Sequence, residues 1–393
     1  MKFLRFIIIC LCLCLLTSCW SKKELNELAI ATAIGIDKQG EDYRVSVQIL
    51  NPGEIAGSSP STRSAVSTFI TDGRSLSEAF RKITKDAPRR IYLSHVRIVV
   101  FGEELARDGI TQSLDFLSRN YETRTDFYLI VAKNNLASNI LKIMSPIEKV
   151  PANKIYGSIE VAEKTWAPVR GTHLDDLISE IISDGNNPVL TGIEYEGDLA
   201  IGNDLDNVEK VFSPSFLTLD NLALFKGDKL IDWLSTNESK GYNYINDNVD
   251  ATIGVMDCEE DKGKITVEIV NSKTEMKATV KNGKPKVSIR VTSEGEIEEI
   301  NKCKRKITDE ETIRWIEKRF NEQKTKKMEM AIAKAKELKS DVFGFGDSVN
   351  RADPKTWQKL KENWDDEVFP EIEIDIKAEL TIRRLGSITD SFQ

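Results

Sequence analysis

The sequence predicts a mixed α/β protein of the α+β kind. It is divided into three domains, each a β-sheet with packed helices, the last an antiparallel sheet with a long helix. Three observations carry this. Period-two apolar runs recur from Ala29 to Arg384. Between Thr68 and Met144 they alternate with helical periods, the rhythm of strands with covering helices. Finally, 393 residues less an 18-residue leader exceed the ~250–300 at which a single core stops growing.

The leader is the first element. Lys2 and Arg5 precede an apolar stretch from Phe6 to Leu16, and Leu16-Thr17-Ser18 puts small residues directly before Cys19. This reads as a secretory signal peptide, residues 1–18, ending in a lipobox. The apolar stretch is about half the roughly 20 residues a spanning helix needs. The expected chemistry is a diacylglyceryl thioether on the Cys19 sulfur, then cleavage and acylation of the new N-terminus. Two or more acyl chains hold a protein stably at a bilayer, whereas one does not. The processed chain has a formal net charge of −10, which argues against nucleic acid and against broad adsorption on anionic lipid. Cys10, Cys12 and Cys14 leave with the leader. Cys258 and Cys303 remain, and two buried thiols are the simpler expectation beside a possible disulfide.

Ala29 to Ile36 alternates small and larger residues, Asp37-Lys38-Gln39-Gly40 turns, and Tyr43 to Leu50 alternates again, giving a hairpin. Gly53 to Ser67 is a loop rich in Ser, Thr and Gly. Thr68 to Thr71 is a short strand, and Ser75 with Glu78 caps a helix carrying Ala79, Phe80 and Ile83. Val96 to Phe101 and Phe127 to Ala132 read as buried strands, with helices over Glu103 to about Tyr121 and Leu136 to Met144. An amphipathic helix covers Thr172 to Ser183. Strands follow at Val189–Tyr195, Phe216–Leu219, Leu222–Phe225 and Lys229–Trp233 as the expected partners of the first hairpin. The expected domains are therefore residues 19–60 with about 186–238 as a discontinuous N-terminal domain, 66–185 as an inserted α/β domain, and 240–388 as the C-terminal domain.

In that last domain Lys264–Val270, Met276–Val280 and Val287–Thr292 alternate, with Asn282-Gly283 as a hairpin turn. Thr308 and Glu311 open a helix of about thirty residues striped by Ile313, Ile316, Phe320, Met328, Ile332, Ala335 and Leu338. Asp353-Pro354 starts a short helix presenting Trp357, Leu360 and Trp364. Glu371 to Arg384 alternates strictly, with Ile372, Ile374, Ile376, Ala378, Leu380 and Ile382 inward.

Catalytic patterns are missing. Neither His95 nor His173 has metal-ligand spacing, and His95 is expected as a structural histidine at the start of a buried strand. No G-x-S-x-G elbow or Walker loop occurs. Gly344-Phe345-Gly346 marks a tight bend, and the acidic runs Glu259-Glu260-Asp261 and Asp365-Asp366-Glu367 read as solvated turns rather than calcium loops. No enzymatic activity, metal or cofactor is expected beyond the covalent diacylglycerol and N-acyl chain on Cys19.

The chain resembles the Ger(x)C lipoproteins, the C subunits of nutrient germinant receptors of endospore-forming bacteria. The residues that carry this are Cys19-Trp20, Glu24-Leu25, Ala29 to Asp37, Leu93-Ser94-His95 (the family usually has glycine at Ser94), Gly102-Glu103, Phe116 to Arg124 and Asn187-Pro188-Val189-Leu190. They continue through Leu222–Leu234 to Ser340-Asp341-Val342-Phe343-Gly344-Phe345-Gly346, Trp357, Asn363-Trp364, Phe369-Pro370 and Ile382-Arg383-Arg384. The resemblance implies a three-domain protein on the outer face of the spore inner membrane, working beside two polytopic membrane subunits in a complex that senses nutrients and triggers germination. It supplies no catalytic residues. Trp357, Trp364 and Phe369 are expected as core packing, with a partner-docking face as the alternative. The competing functional reading is an extracytoplasmic solute-binding lipoprotein, which would need two similar lobes around a cleft; no internal repeat of that kind is present. No tightly bound small molecule is expected.

Overall fold

The computed structural model describes residues 27–384 apart from 57–62, 259–262, 304, 306 and 308, together with Phe3. The lipobox residues Leu16, Thr17, Ser18 and Cys19 lie outside the described residues, as do Thr308 and the first acidic run.

Two sheets organise the chain. The larger has nine strands: β1 (Leu28–Gln39), β2 (Asp42–Leu50), β3 (Val66–Gly73), β4 (Arg90–Tyr92), β5 (Ile98–Gly102), β6 (Tyr128–Ala132), β7 (Val189–Glu196), β8 (Phe216–Lys226) and β9 (Lys229–Trp233). Their order is β3-β2-β1-β5-β6-β7-β8-β9, with β4 beside the start of β1. The central β1, β5, β6 and β7 run parallel, and the flanking pairs are antiparallel.

This corrects the expected partition. The first hairpin pairs with β5, from the segment expected to be an inserted domain, and not with β7–β9. Residues 19–60 and 66–185 thus contribute neighbouring strands to one sheet. The physical reason is that β5 and β6, buried along their whole length, need strands on both sides, and β1 with its small residues is one of them.

Helices cover both faces. On one lie α1 (Leu76–Ile83), α2 (Glu103–Asp108) and α3 (Thr111–Arg119), around a core including Ile34, Val47, Val99, Phe101 and Leu129. On the other lie α4 (Ala137–Ile140) and α5 (Pro151–Thr165), over Ala33, Ile98, Val100 and Ile130. The α6 helix (Leu174–Ile182) joins the first face. A bulge between Ala31 and Ala33 turns Ala31 toward the first core and Ala33 toward the second. Gly35 then lets α4 lie against β1, since a Cβ there would sit 3.2 Å from Ala137 Cβ. Asp37 fixes the approach by accepting from Ala137 N at 2.6 Å and Ser138 N at 2.9 Å.

Local expectations need four amendments. The helix expected over 103–121 is split at Gly109, whose φ of +132° no helix tolerates. The one expected over 136–144 is a single turn. Helix α5 was not anticipated, although Pro151 stands at its start and Ala152, Ile155 and Ile159 form its inner stripe. His95 is exposed in the turn before β5, edge-on to Tyr92, rather than buried in the strand.

The second sheet is β10 (Thr252–Cys258), β11 (Gly263–Lys281), β12 (Lys284–Asn301) and β13 (Glu373–Arg384), in that order. The first three are antiparallel, and β13 joins β12 in parallel. Helix α7 (Thr236–Ile245) precedes this sheet, and α8 (Glu310–Glu337) lies on one face through Ile316, Phe320, Met328 and Ile332. The 28-residue α8 runs back along the sheet, with Glu317 beside Ile382 and Lys336 beside Ile372, and so returns the chain to the start of β12, where β13 enters parallel and not as a hairpin.

Cys258 and Cys303 form a disulfide, against the expectation of two thiols. Pairing of Cys258 with Gly263 and of Lys264 with Asn301 brings the two strand ends together, with Cα atoms 5.8 Å apart.

Candidate functional site: a buried aspartate between the two sheets

A third core is shared between the sheets. Val189, Leu222 and Leu224 of the larger sheet meet Val287, Ile289 and Val291 of the smaller through Tyr242, Phe343, Phe345, Trp357, Trp364 and Phe369. At its centre is Asp341, fully buried.

The sequence builds this site in a few steps. Helix α8 ends at Glu337 with Leu338 as its C-cap, and Lys339 takes a positive φ of 53° that turns the chain inward. Ser340 donates to Phe225 O at 2.6 Å, tying the turn to β8. Gly344, at φ +69°, curls the next backbone amides around the Asp341 carboxylate and opens α9 (Phe345–Ala352). Oδ1 accepts from Phe343 N at 3.1 Å and Phe345 N at 3.2 Å; Oδ2 accepts from Gly346 N and Trp364 Nε1, both at 2.8 Å. Gly346 admits no side chain, because a Cβ would lie 2.6 Å from both Gly185 Cα and the Trp357 ring.

A second layer ties this knot to the larger sheet. Asn187, just before β7, donates its N–H to Asp341 O at 2.7 Å and its amide to Asp365 Oδ2 at 2.8 Å. Its Oδ1 accepts from Gly227 N in the β8–β9 turn at 2.8 Å. Asp341 N donates to Asp365 Oδ1 at 3.0 Å. Nearby, Ser183 donates to Asp347 Oδ1 at 2.9 Å and Lys226 pairs with Asp366 at 2.8 Å. Of the second acidic run, Asp366 and Glu367 are exposed as expected of a solvated turn, whereas Asp365 turns into the knot.

Burial pushes the Asp341 carboxyl up, to about 7, against four N–H donors that favour its ionised form. Fully buried, it lies out of reach of a substrate. The arrangement is mechanical: removing the carboxylate loosens α9, the Trp364 turn and the loop before β7 together.

Two other buried charges sit where α7 packs on α8. Lys240 lies 4.0 Å from the Trp166 ring centroid, and Lys324 donates to Ser293 Oγ at 2.8 Å. Burial pulls each ammonium down to about 8. Among the described residues no group of three or more His, Cys, Asp or Glu is placed to hold a metal ion.

The expected docking aromatics turn inward. Trp357, Trp364 and Phe369 are all buried: Trp364 bonds Asp341, Trp357 stacks edge-on against it at 5.1 Å, and Phe369 packs on Phe345 at 6.1 Å. Fully buried rings leave no surface for a partner, so the docking alternative is withdrawn. In the sequence Asp341 and Asn187 stand out only within the family resemblance and Asp365 only within an acidic run; an aspartate followed by Phe-Gly-Phe-Gly is the one signal that the backbone wraps around it.

Comparison with known proteins decides the family. Residues 21–195 match the spore germination protein N-terminal domain, and residues 220–386 match the spore germination B3/GerAC-like C-terminal domain. The chain is 33% identical over 392 residues to spore germination protein KC of Bacillus subtilis (strain 168), covering 98% of this chain and 96% of that protein. The chain belongs to the Ger(x)C family of spore germination proteins. Spore germination proteins B3 and A3 of the same organism are each 24% identical, with 98% of both chains covered. The crystal structure of the GerBC protein superimposes with a TM-score of 0.54 at 19% identity, over 89% of this chain and 96% of that one, and shares the fold. The two matched Ger(x)C segments meet inside the larger sheet, since β8, most of which lies in the second match, pairs with β7 of the first and carries β9 on its other side. The Asp341 knot ties these two segments together. Among the described residues no helix is long and apolar enough to cross a membrane.

Proposed function

We propose that this chain is the lipid-anchored, non-catalytic subunit of a nutrient germinant receptor, acting through protein contacts with polytopic membrane subunits of the same complex. The observation that carries this reading is similarity to spore germination proteins along the whole chain, and the anchor rests on the lipobox-like pattern Leu16-Thr17-Ser18-Cys19. The acyl chains on Cys19 hold the chain on the outer face of the spore inner membrane. The chain binds no nucleic acid and no small molecule tightly. Its work is to present rigid surfaces to its partners, and the fully satisfied hydrogen bonding of the Asp341 knot supports a role in which the two sheets move as one body.

The test is nutrient-triggered germination in spores lacking this gene and its paralogous receptors. They are complemented with the wild type or with Cys19→Ala. Rescue by the wild type alone establishes both the role and the anchor. Rescue by both keeps the role and removes the need for the anchor. A normal response without any complementation refutes the reading.

A further inference from the structure

The small sheet ends in an open edge. Strand β13 pairs with β12 on one side, and among the described residues no strand pairs with its other side. Ile382 N donates to Glu317 Oε1 of α8 at 2.9 Å, and Lys336 of α8 donates to Ile372 O at 2.7 Å. The main-chain groups of the even-numbered residues therefore point outward, and those of the odd ones bond β12. Between this edge and α8 runs a groove of about 790 Å³, lined by Glu317, Lys318, Asn321 and Thr325 on the helix and Ile376 to Leu380 on the strand. On the helix side of the sheet Ile374, Ile376, Ala378 and Ile382 are only half-buried, an apolar row that one more strand would cover.

Long edge strands with apolar rows are templates for further pairing unless something blocks them. This one is twelve residues long and has no proline, and its register irregularity lies at the C-terminal end, where Arg383 is skipped between the pairs Ile382–Gly295 and Arg384–Glu296, leaving Glu373 to Ile382 regular. Its guard is charge, and the charge is self-complementary. On the exposed face the strand reads Glu373, Asp375, Lys377, Glu379, Thr381, Arg383.

We propose that β13 is the interface between two copies of this chain, joined by antiparallel pairing of their β13 strands about Ala378. In that register Lys377 stands opposite Glu379 of the partner subunit, twice about the axis, and at each end Glu373 faces Arg383 of the partner subunit, where the regular ladder stops. Asp375 meets Thr381 of the partner subunit. On the apolar face Ile374 meets Ile382 of the partner subunit, Ile376 meets Leu380 of the partner subunit, and the small Ala378 stands opposite its own copy on the two-fold axis.

Both members of each pair carry outward main-chain groups on the same parity, so main-chain hydrogen bonds form through Ile376, Ala378 and Leu380, and the pair of Ile374 with Ile382 of the partner subunit forms as Ile382 N exchanges its bond to Glu317. Other registers of the same parity are penalised. Centring on Lys377 sets that lysine against its own copy and Asp375 against Glu379 of the partner subunit. Centring on Glu379 sets that carboxylate against its own copy. Like charges directly opposite are destabilising in a ladder, which leaves Ala378 as the favoured centre. The two-fold operation makes the contact isologous and closed, so the open edge is used up by a dimer and does not propagate. In the single chain the same side chains pair locally: Lys377 with Glu379 at 2.5 Å, Lys286 with Glu373 at 2.5 Å, and Glu294 with Arg383. These are solvent-exposed pairs, worth little, and are exchanged at small cost.

This inference is independent of the receptor reading and is tested on the full chain solubilised in detergent, by size-exclusion chromatography with light scattering. The wild type is expected as a dimer. Lys377→Glu places like charges opposite each other twice and is expected to weaken the dimer about tenfold. Combining it with Glu379→Lys restores complementarity and the wild-type mass. Ala378→Pro removes an outward N–H that the fold does not use and is expected to give a folded monomer, checked by thermal unfolding. Should that proline variant fail to fold, the charge reversal and its rescue decide alone. A wild type that stays monomeric at about 100 µM, far above a micromolar Kd, overturns the proposal. So does a dimer indifferent to Lys377→Glu, or capture of a strand from a different protein at this edge.

Discussion

Asp341→Ala removes four acceptor interactions at once and leaves three main-chain amides and the Trp364 indole N–H facing a small apolar gap. An orphaned buried donor costs about 1–3 kcal/mol. Four of them at the low end give ~4 kcal/mol; water entering the gap lowers that sum, and so does relief of the buried charge. The total is a large part of the 5–15 kcal/mol that holds a typical domain. Urea unfolding followed by tryptophan fluorescence reads it directly, because Trp364 and Trp357 both sit at the knot.

A second arm uses Asp341→Asn and pH. The carboxyl titrates at about 7 when folded and near 3.8 when unfolded, so between these values the native state binds a proton that the unfolded state lacks. The contribution is then fully present below about pH 4 and is lost as pH rises through 7. Relative to the wild type, Asp341→Asn should therefore cost most near pH 4 and progressively less toward pH 7. A loss under about 1 kcal/mol for Asp341→Ala at pH 7, against the 1–3 kcal/mol for each orphaned donor, refutes the knot as a principal tie. So does an Asn penalty that grows with pH.

Two further outcomes are expected. Reducing the Cys258–Cys303 bond, or replacing both cysteines by serine, frees a chain segment with a sequence separation of 45 and should cost up to about 4 kcal/mol on the chain-entropy account. The fall in Tm with and without reductant measures it, and an unchanged Tm contradicts it. Lys324, whose ammonium is pulled down to about 8, gives up its proton on folding between pH 8 and 10.5, so stability should rise with pH across that window. Lys324→Met should flatten that rise and leave stability at pH 7 equal or greater, since an unpaired buried charge is replaced by apolar packing; denaturant titrations at pH 7, 9 and 10.5 check both.

Much of the architecture was legible from local pattern. The β1–β2 hairpin, the Asn282-Gly283 turn, the long α8 stripe and the strict alternation of β13 all appear where periodicity put them, because each is set by which side chains must face one core. What periodicity cannot carry is partnership. Alternation in β13 is the same whether its neighbour runs parallel or antiparallel, and only the return of α8 along the length of the sheet chose the parallel option. Likewise the strand signals at 29–50 and 189–233 were sound, yet nothing local says that β5 and not β7 lies beside β1.

The candidate site divides the same way. The sequence by itself determined the absence of familiar catalytic spacings, the strands and the longest helix, and enough ordered residues to resemble one family. Those properties depend on neighbours along the chain. Tertiary structure alone decided that Asp341, Asn187 and Asp365 form one hydrogen-bonded knot and that Trp357 and Trp364 face inward. It alone placed Cys258 within bonding reach of Cys303 and left the outer edge of β13 unpaired among the described residues. The physical reason is that burial, and with it the cost of an unsatisfied polar group, is a property of surroundings assembled from segments more than a hundred residues apart.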